Sequence, residues 1–98
     1  MRTIGLNRAS FPALNPGTTQ TLAIGSSSVA TAAPIGADVV RLVATADCYI
    51  AIGSNPTATA TNMFLPAKMP ENFVIAQTDK IAVLQVASGG TLFITPAQ

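Results

Sequence analysis

At 98 residues, with a net charge of +1 and only 9% charged side chains, the chain is one domain with far less charge than the roughly 25% usual for soluble proteins. Little charge means little repulsion between copies, so such a chain belongs in a membrane or packed into an assembly. Long charge-free stretches such as 11–37 and 49–67 are interrupted by Pro, Gly, Ser, Asn and Thr, well short of the roughly 20 apolar residues of a spanning helix, and Arg2, Arg8, Arg41, Lys68 and Lys80 are too scattered for an electrostatic nucleic-acid binder.

The N-terminal MRTIGLNRAS lacks an apolar stretch of the signal-peptide kind, so none is expected. Residues 2–7 read as a strand. The following NRASFPALNPGTTQ (7–20) has two Pro and one Gly in fourteen residues, with apolar Phe11 and Leu14 isolated among them. It is either an irregular surface loop or an arm that lies on a neighbouring subunit with Phe11 and Leu14 as anchors. The organisation expected is a strand and Pro/Gly-containing arm over 1–20 and a β-sandwich domain over 21–98.

Beyond the arm, apolar residues never hold a helical period for more than a turn, and Thr, Val, Ile, Gly and Pro are poor helix formers. Strands are predicted at 19–24, 28–32, 39–46, 48–52, 63–65, 72–76, 80–87 and 91–95, separated by turn clusters such as NPG, GSS, PIGAD, GSNP and QTD. Turn signals about every 8–12 residues mark an all-β fold, here an antiparallel β-sandwich or jelly-roll of about eight short strands.

Two connections look tight. Ser88-Gly89-Gly90 joins KIAVLQVA to TLFITP, and both glycines can take the positive φ of twist-matched hairpin turns. Strands 80–87 and 91–95 are therefore expected to pair. Thr45-Ala46-Asp47 joins two further strands, with Asp47 placed to support the bend through nearby backbone.

Alternation sets the faces. Val40, Leu42 and Ala44 oppose Arg41, Val43 and Thr45; Cys48, Ile50 and Ile52 oppose Tyr49 and Ala51; Leu92 and Ile94 oppose Thr91, Phe93 and Thr95. The expected core is Leu42, Ile50, Ile52, Phe73, Ile75, Ile81, Val83, Leu92 and Ile94. The opposite faces, with Val43, Leu84, Val86 and Phe93, are also apolar, whereas an antiparallel sandwich usually keeps one face polar. Part of the outer surface is therefore expected to be covered by another chain.

Reactive constellations are missing from the sequence. Histidine is absent, which removes the commonest general base and metal ligand. Cys48 has no second Cys and no His beside which to act as a zinc ligand or nucleophile, and a small buried strand residue is expected there. Asp38, Asp47, Glu71 and Asp79 sit at turns and strand ends with no spacing of a catalytic pair. No phosphate-binding glycine motif occurs, and without Trp there is no aromatic platform for bases or sugars. A non-enzyme with no cofactor and no metal is expected.

The loop GSNPTATAT is the segment most like a contact surface. Asn55-Pro56 starts a turn, and the small, uncharged Thr/Ala run that follows has little side-chain entropy to lose on lying against a surface. Ser54, Asn55, Pro56, Thr57, Thr59 and Thr61 join Phe11 and Leu14 as candidate contacts; a plain exposed connection is the competing reading.

Residues 41–97, with RLVAT, a Cys-containing strand ending in AIGSNPTAT, then FLPA, ENFVIAQTDKIAVLQ and GGTLFIT, resemble small proteins encoded among tailed-bacteriophage structural genes. The resemblance implies a virion component, most like a capsid decoration (cement) protein on the capsid exterior that clamps the major capsid protein lattice and neighbours copies of itself as a dimer or trimer. It carries no catalytic positions. A head–tail or tail/fibre-attachment protein and a carbohydrate- or receptor-binding β module are the alternatives left open; nucleic acid and membrane are not expected partners.

Overall fold

β-Branched residues in period-two alternation, cut at short intervals by Gly, Pro, Asn and Asp, favour short pleated segments over helices. The computed structural model describes residues 17–97, and those residues contain no helix. Eight strands follow in chain order: β1 (Gln20–Ile24), β2 (Val29–Ala30), β3 (Val39–Ala44), β4 (Cys48–Gly53), β5 (Met63–Leu65), β6 (Glu71–Val74), β7 (Lys80–Gln85) and β8 (Gly90–Ala97). The predicted strand at 2–7 lies outside the described residues.

The strands form two four-stranded antiparallel sheets, ordered β1-β8-β3-β6 and β2-β7-β4-β5. The pairings include β1 with β8, β2 with β7, β3 with β6 and β4 with β5. This is the pattern of one long hairpin, its tip at the β4–β5 connection, folded so that its arms are shared between two layers. β3–β8 and β4–β7 pairings close each layer.

The expected pairing of 80–87 with 91–95 is corrected by this order. β7 lies beside β2 and β4, and β8 beside β1 and β3, so Ser88-Gly89-Gly90 carries the chain from one sheet to the other. Neither Gly89 nor Gly90 adopts the positive φ of a hairpin turn. What glycine supplies there is room: a Cβ on Gly89 would sit 2.6 Å from the Ile24 carbonyl oxygen, and one on Gly90 2.6 Å from Thr45 Oγ1. Thr45-Ala46-Asp47 likewise crosses between sheets, from β3 to β4. The Asp47 carboxylate does not brace its own turn; Oδ1 accepts the Ala67 N–H at 2.7 Å, from the β5–β6 connection.

The core lies between the two inner faces. Leu42, Ile81, Val83, Leu92 and Ile94 are fully buried there, and Ile50 and Ile75 nearly so, each such side chain contributing roughly 1.5–3 kcal/mol relative to exposure. Ile52 and Phe73 are half-buried and pack against this cluster. Val40, Ala44 and Leu65 complete it from the same alternating rows. Thr31 is buried too, and its hydrogen bonds are met by one neighbour: its N–H donates to the Ile81 carbonyl at 2.9 Å and its hydroxyl accepts the Ile81 N–H at 3.2 Å.

Candidate functional site

The two outer faces of the sandwich are treated differently by the chain. Register places Ala30, Ala82 and Ala51 side by side across β2, β7 and β4 on the outer face of their sheet. Three adjacent alanines make a shallow trough. The 54–62 segment leaves β4 at one end of this sheet and enters β5, on the far side of β4 from β7. Between these points the Ala58 N–H donates to Ser28 Oγ at 2.9 Å. Ser28 precedes β2 and has the outward parity of Ala30, so the segment is routed across the sheet's outer face and back. Ala58 is 3% exposed, and the outward Ala82 is 0% exposed. The segment is a strap on its own sheet.

Within the strap, side chains hold one another. Asn62 Oδ1 accepts the Thr59 N–H at 2.6 Å and the Thr59 hydroxyl at 3.1 Å, while the Asn62 N–H donates to the Thr59 carbonyl at 3.0 Å. The Thr59 and Thr61 hydroxyls lie 2.9 Å apart in a further hydrogen bond. Of the candidate contacts, Ser54, Asn55, Thr57, Thr59 and Thr61 are exposed and Pro56 is half-buried. Phe11 and Leu14 lie outside the described residues. The hydroxyls of Thr59 and Thr61 are thus engaged internally, leaving Ser54, Asn55 and Thr57 as the outward polar groups of the strap's first half. Beside it, Tyr49 and Phe64 meet edge to face at 6.2 Å.

The β1-β8-β3-β6 sheet has no such strap among the described residues. Its outward rows, read from the register, are Thr21–Phe93–Val43, Thr95–Arg41–Asn72 and Ala97–Val39–Val74. Thr19 extends the middle row through a 2.7 Å hydroxyl–hydroxyl bond to Thr95. Phe93 is 37% and Val74 86% exposed. Among the described residues, Arg41 is the one charge on this face. Alternation had already set Arg41, Val43 and Phe93 outward, but the sequence could not show that β3 and β8 are neighbours, and so did not reveal the surface.

The remaining polar groups build structure. Asp79 Oδ2 accepts the Ala76 N–H at 3.0 Å, and Asp38 Oδ1 accepts the Gln77 side-chain amide at 3.3 Å, closing one end of the sandwich. At the other end, Thr45, Asp47, Ala67, Val86 and Ser88 line a cleft of about 210 Å³ whose carboxylate already holds Ala67. Cys48 is fully buried, and burial, followed by the charge of Asp47, pushes its thiol up to about 11; a thiol so placed is a poor nucleophile at neutral pH. No three His, Cys, Asp or Glu side chains converge as metal ligands among the described residues. Compared with protein-family models, curated proteins and solved structures, the chain matches none.

Proposed function

We propose that this chain is a structural protein of a tailed-phage virion, decorating the capsid exterior and stabilising it by binding the lattice of the major capsid protein. The observation that carries the reading is the strand order. Eight strands paired 1–8, 2–7, 3–6 and 4–5 over two four-stranded sheets are the pairings that a jelly-roll connection would give, and that architecture is used by viral capsid domains and by lectins. The resemblance to proteins encoded among phage structural genes, read for residues 41–97 from the sequence alone, favours the capsid side of that pair.

The physical logic is mass action. A protein that binds the assembled shell and not its loosened form stabilises the shell by the free energy of binding. Repetition on a symmetric lattice turns a modest single contact into a firm one. A rigid β core with a self-bonded strap loses little conformational freedom on docking.

The test is addition of the purified protein to shells that lack it. Decoration predicts density repeated over the lattice in electron micrographs and a higher disruption temperature for the shell. Density confined to the portal vertex or tail supports a head–tail role instead, and specific binding on a glycan array supports the lectin-like one.

A further inference from the structure

We infer that the outer face of the β1-β8-β3-β6 sheet, which no strap crosses among the described residues and which centres on Arg41 and Phe93, is the docking surface, and that its partner is a flat, charge-poor protein surface presenting a carboxylate to Arg41. The inference rests on the virion reading above and names the face and the chemistry by which it acts.

Two observations select the face. The opposite sheet is crossed by the chain's own strap, tied down at Ser28, whereas among the described residues no segment crosses this one, and Phe93 and Val74 are exposed on it. Its composition is also that of an interface centre, where aromatic residues and Arg are enriched and Lys, Glu and Asp are depleted.

Charge selects the partner. The middle row places Thr95 and Asn72, both uncharged, on either side of Arg41. The chain has four acidic side chains, and none lies on either outer face. Asp38, Asp47 and Asp79 bond within the connections at the ends of the sandwich. Glu71 lies opposite Leu42, in the inward row at the sheet edge. Residues 1–16 contain no acid, and neither does the strap. Two copies packed face to face therefore bring arginine to arginine, and copies stacked head to tail set Arg41 against an uncharged strap. A different protein must supply the counter-charge, and an Arg–carboxylate pair with two parallel N–H···O bonds fixes orientation as well.

Area sets the strength. Strand spacing and rise give this face about 400 Å², half of the roughly 800 Å² per partner found in stable pairs. A single docking event is therefore weak, and occupancy depends on a surface that repeats.

The test is cosedimentation of the full chain with shells assembled from the major capsid protein of the same genome, each variant first shown to be folded by its thermal melt. Arg41→Gln and Phe93→Asp are expected to weaken binding about tenfold or more. Lys80→Gln, which removes a cation from the other sheet, should stay within about twofold, and Arg41→Lys should recover part of the loss. Wild-type binding should fall with added salt more steeply than that of Arg41→Gln. Wild-type binding matched by both Arg41→Gln and Phe93→Asp overturns the face. Concentration-dependent dimers of the wild type that Phe93→Asp abolishes also overturn it, by making the face a self-contact. A wild type that ignores the shells overturns the virion reading and this inference together.

Discussion

The Ala58 amide donates to the Ser28 hydroxyl at 2.9 Å across 30 positions of sequence, the one side-chain bond shown to tie the middle of the strap to the β2 edge. Ser28→Ala leaves that part-buried N–H without its acceptor, which costs about 1 kcal/mol. Amide hydrogen exchange is the direct readout: protection should fall at Ala58 and its strap neighbours and stay unchanged in β4 and β7. Asn62→Ala should act on the other half, since Asn62 Oδ1 accepts both the backbone N–H and the hydroxyl of Thr59. Unchanged exchange in both variants would mean that packing on Ala82 alone holds the strap.

The crossover at Gly89-Gly90 should tolerate no side chain. A Cβ at 89 meets the Ile24 carbonyl oxygen at 2.6 Å, and that oxygen belongs to a strand that cannot retreat. A Cβ at 90 meets Thr45 Oγ1 at 2.6 Å and Ala46 Cβ at 2.9 Å, displacing the hydroxyl that accepts the Thr91 N–H. Gly89→Ala and Gly90→Ala should each lose about 1–3 kcal/mol in urea unfolding. Gly25→Ala, with open space around its new methyl, should stay within about 0.5 kcal/mol.

Those glycines also mark the limit of what the sequence discloses. Strand positions were readable because each strand carries its own alternation: Leu92 and Ile94 point inward and Thr91 and Phe93 outward whatever lies beside them. Pairing is not written locally. Ser88-Gly89-Gly90 suits a hairpin and an inter-sheet crossover equally well, and only the competition among all eight strands for partners decides. The strap shows the same limit. Ala-rich GSNPTATAT reads as a loop, yet its path depends on Ala30, Ala51 and Ala82 falling into one row, which requires knowing that β2, β7 and β4 are neighbours. Phe11 and Leu14 remain a sequence-based expectation.

Lys68 is the one non-glycine residue with positive φ among the described residues, at 63°. It is held there because its N–H donates to the Ala44 carbonyl at 2.7 Å while the preceding Ala67 N–H is taken by Asp47. The left-handed region costs an L-residue about 1–2 kcal/mol, and glycine avoids that cost while losing more entropy on folding. Lys68→Gly should therefore raise stability by about 0.5 kcal/mol, a rise of a few degrees in melting temperature. Lys68→Val, β-branched and strained in the same conformation, should lower it. A loss of stability in Lys68→Gly would show that the lysine side chain itself contributes.

Cys48 gives the fold a pH dependence of defined sign. Burial, then the Asp47 charge, holds its thiol at about 11, against an ordinary value of 9.0. Below pH 9 the thiol is protonated in both folded and unfolded chains, and its contribution to stability is constant. Between 9 and 11 the unfolded chain releases its proton while the folded one keeps it, so stability falls as pH rises, by at most about 1.4 kcal/mol per pH unit. Above 11 both forms are ionised and the loss is complete. Other groups titrate in this window, so the informative quantity is the difference between the wild type and Cys48→Ala. The variant carries a constant offset from the lost packing, and the gap between the two should close steadily from pH 9 to 11. Alkylation of the native thiol at pH 8 should likewise run far behind that of the urea-unfolded chain. A gap that stays constant with pH would show that Cys48 ionises as readily in the core as in water.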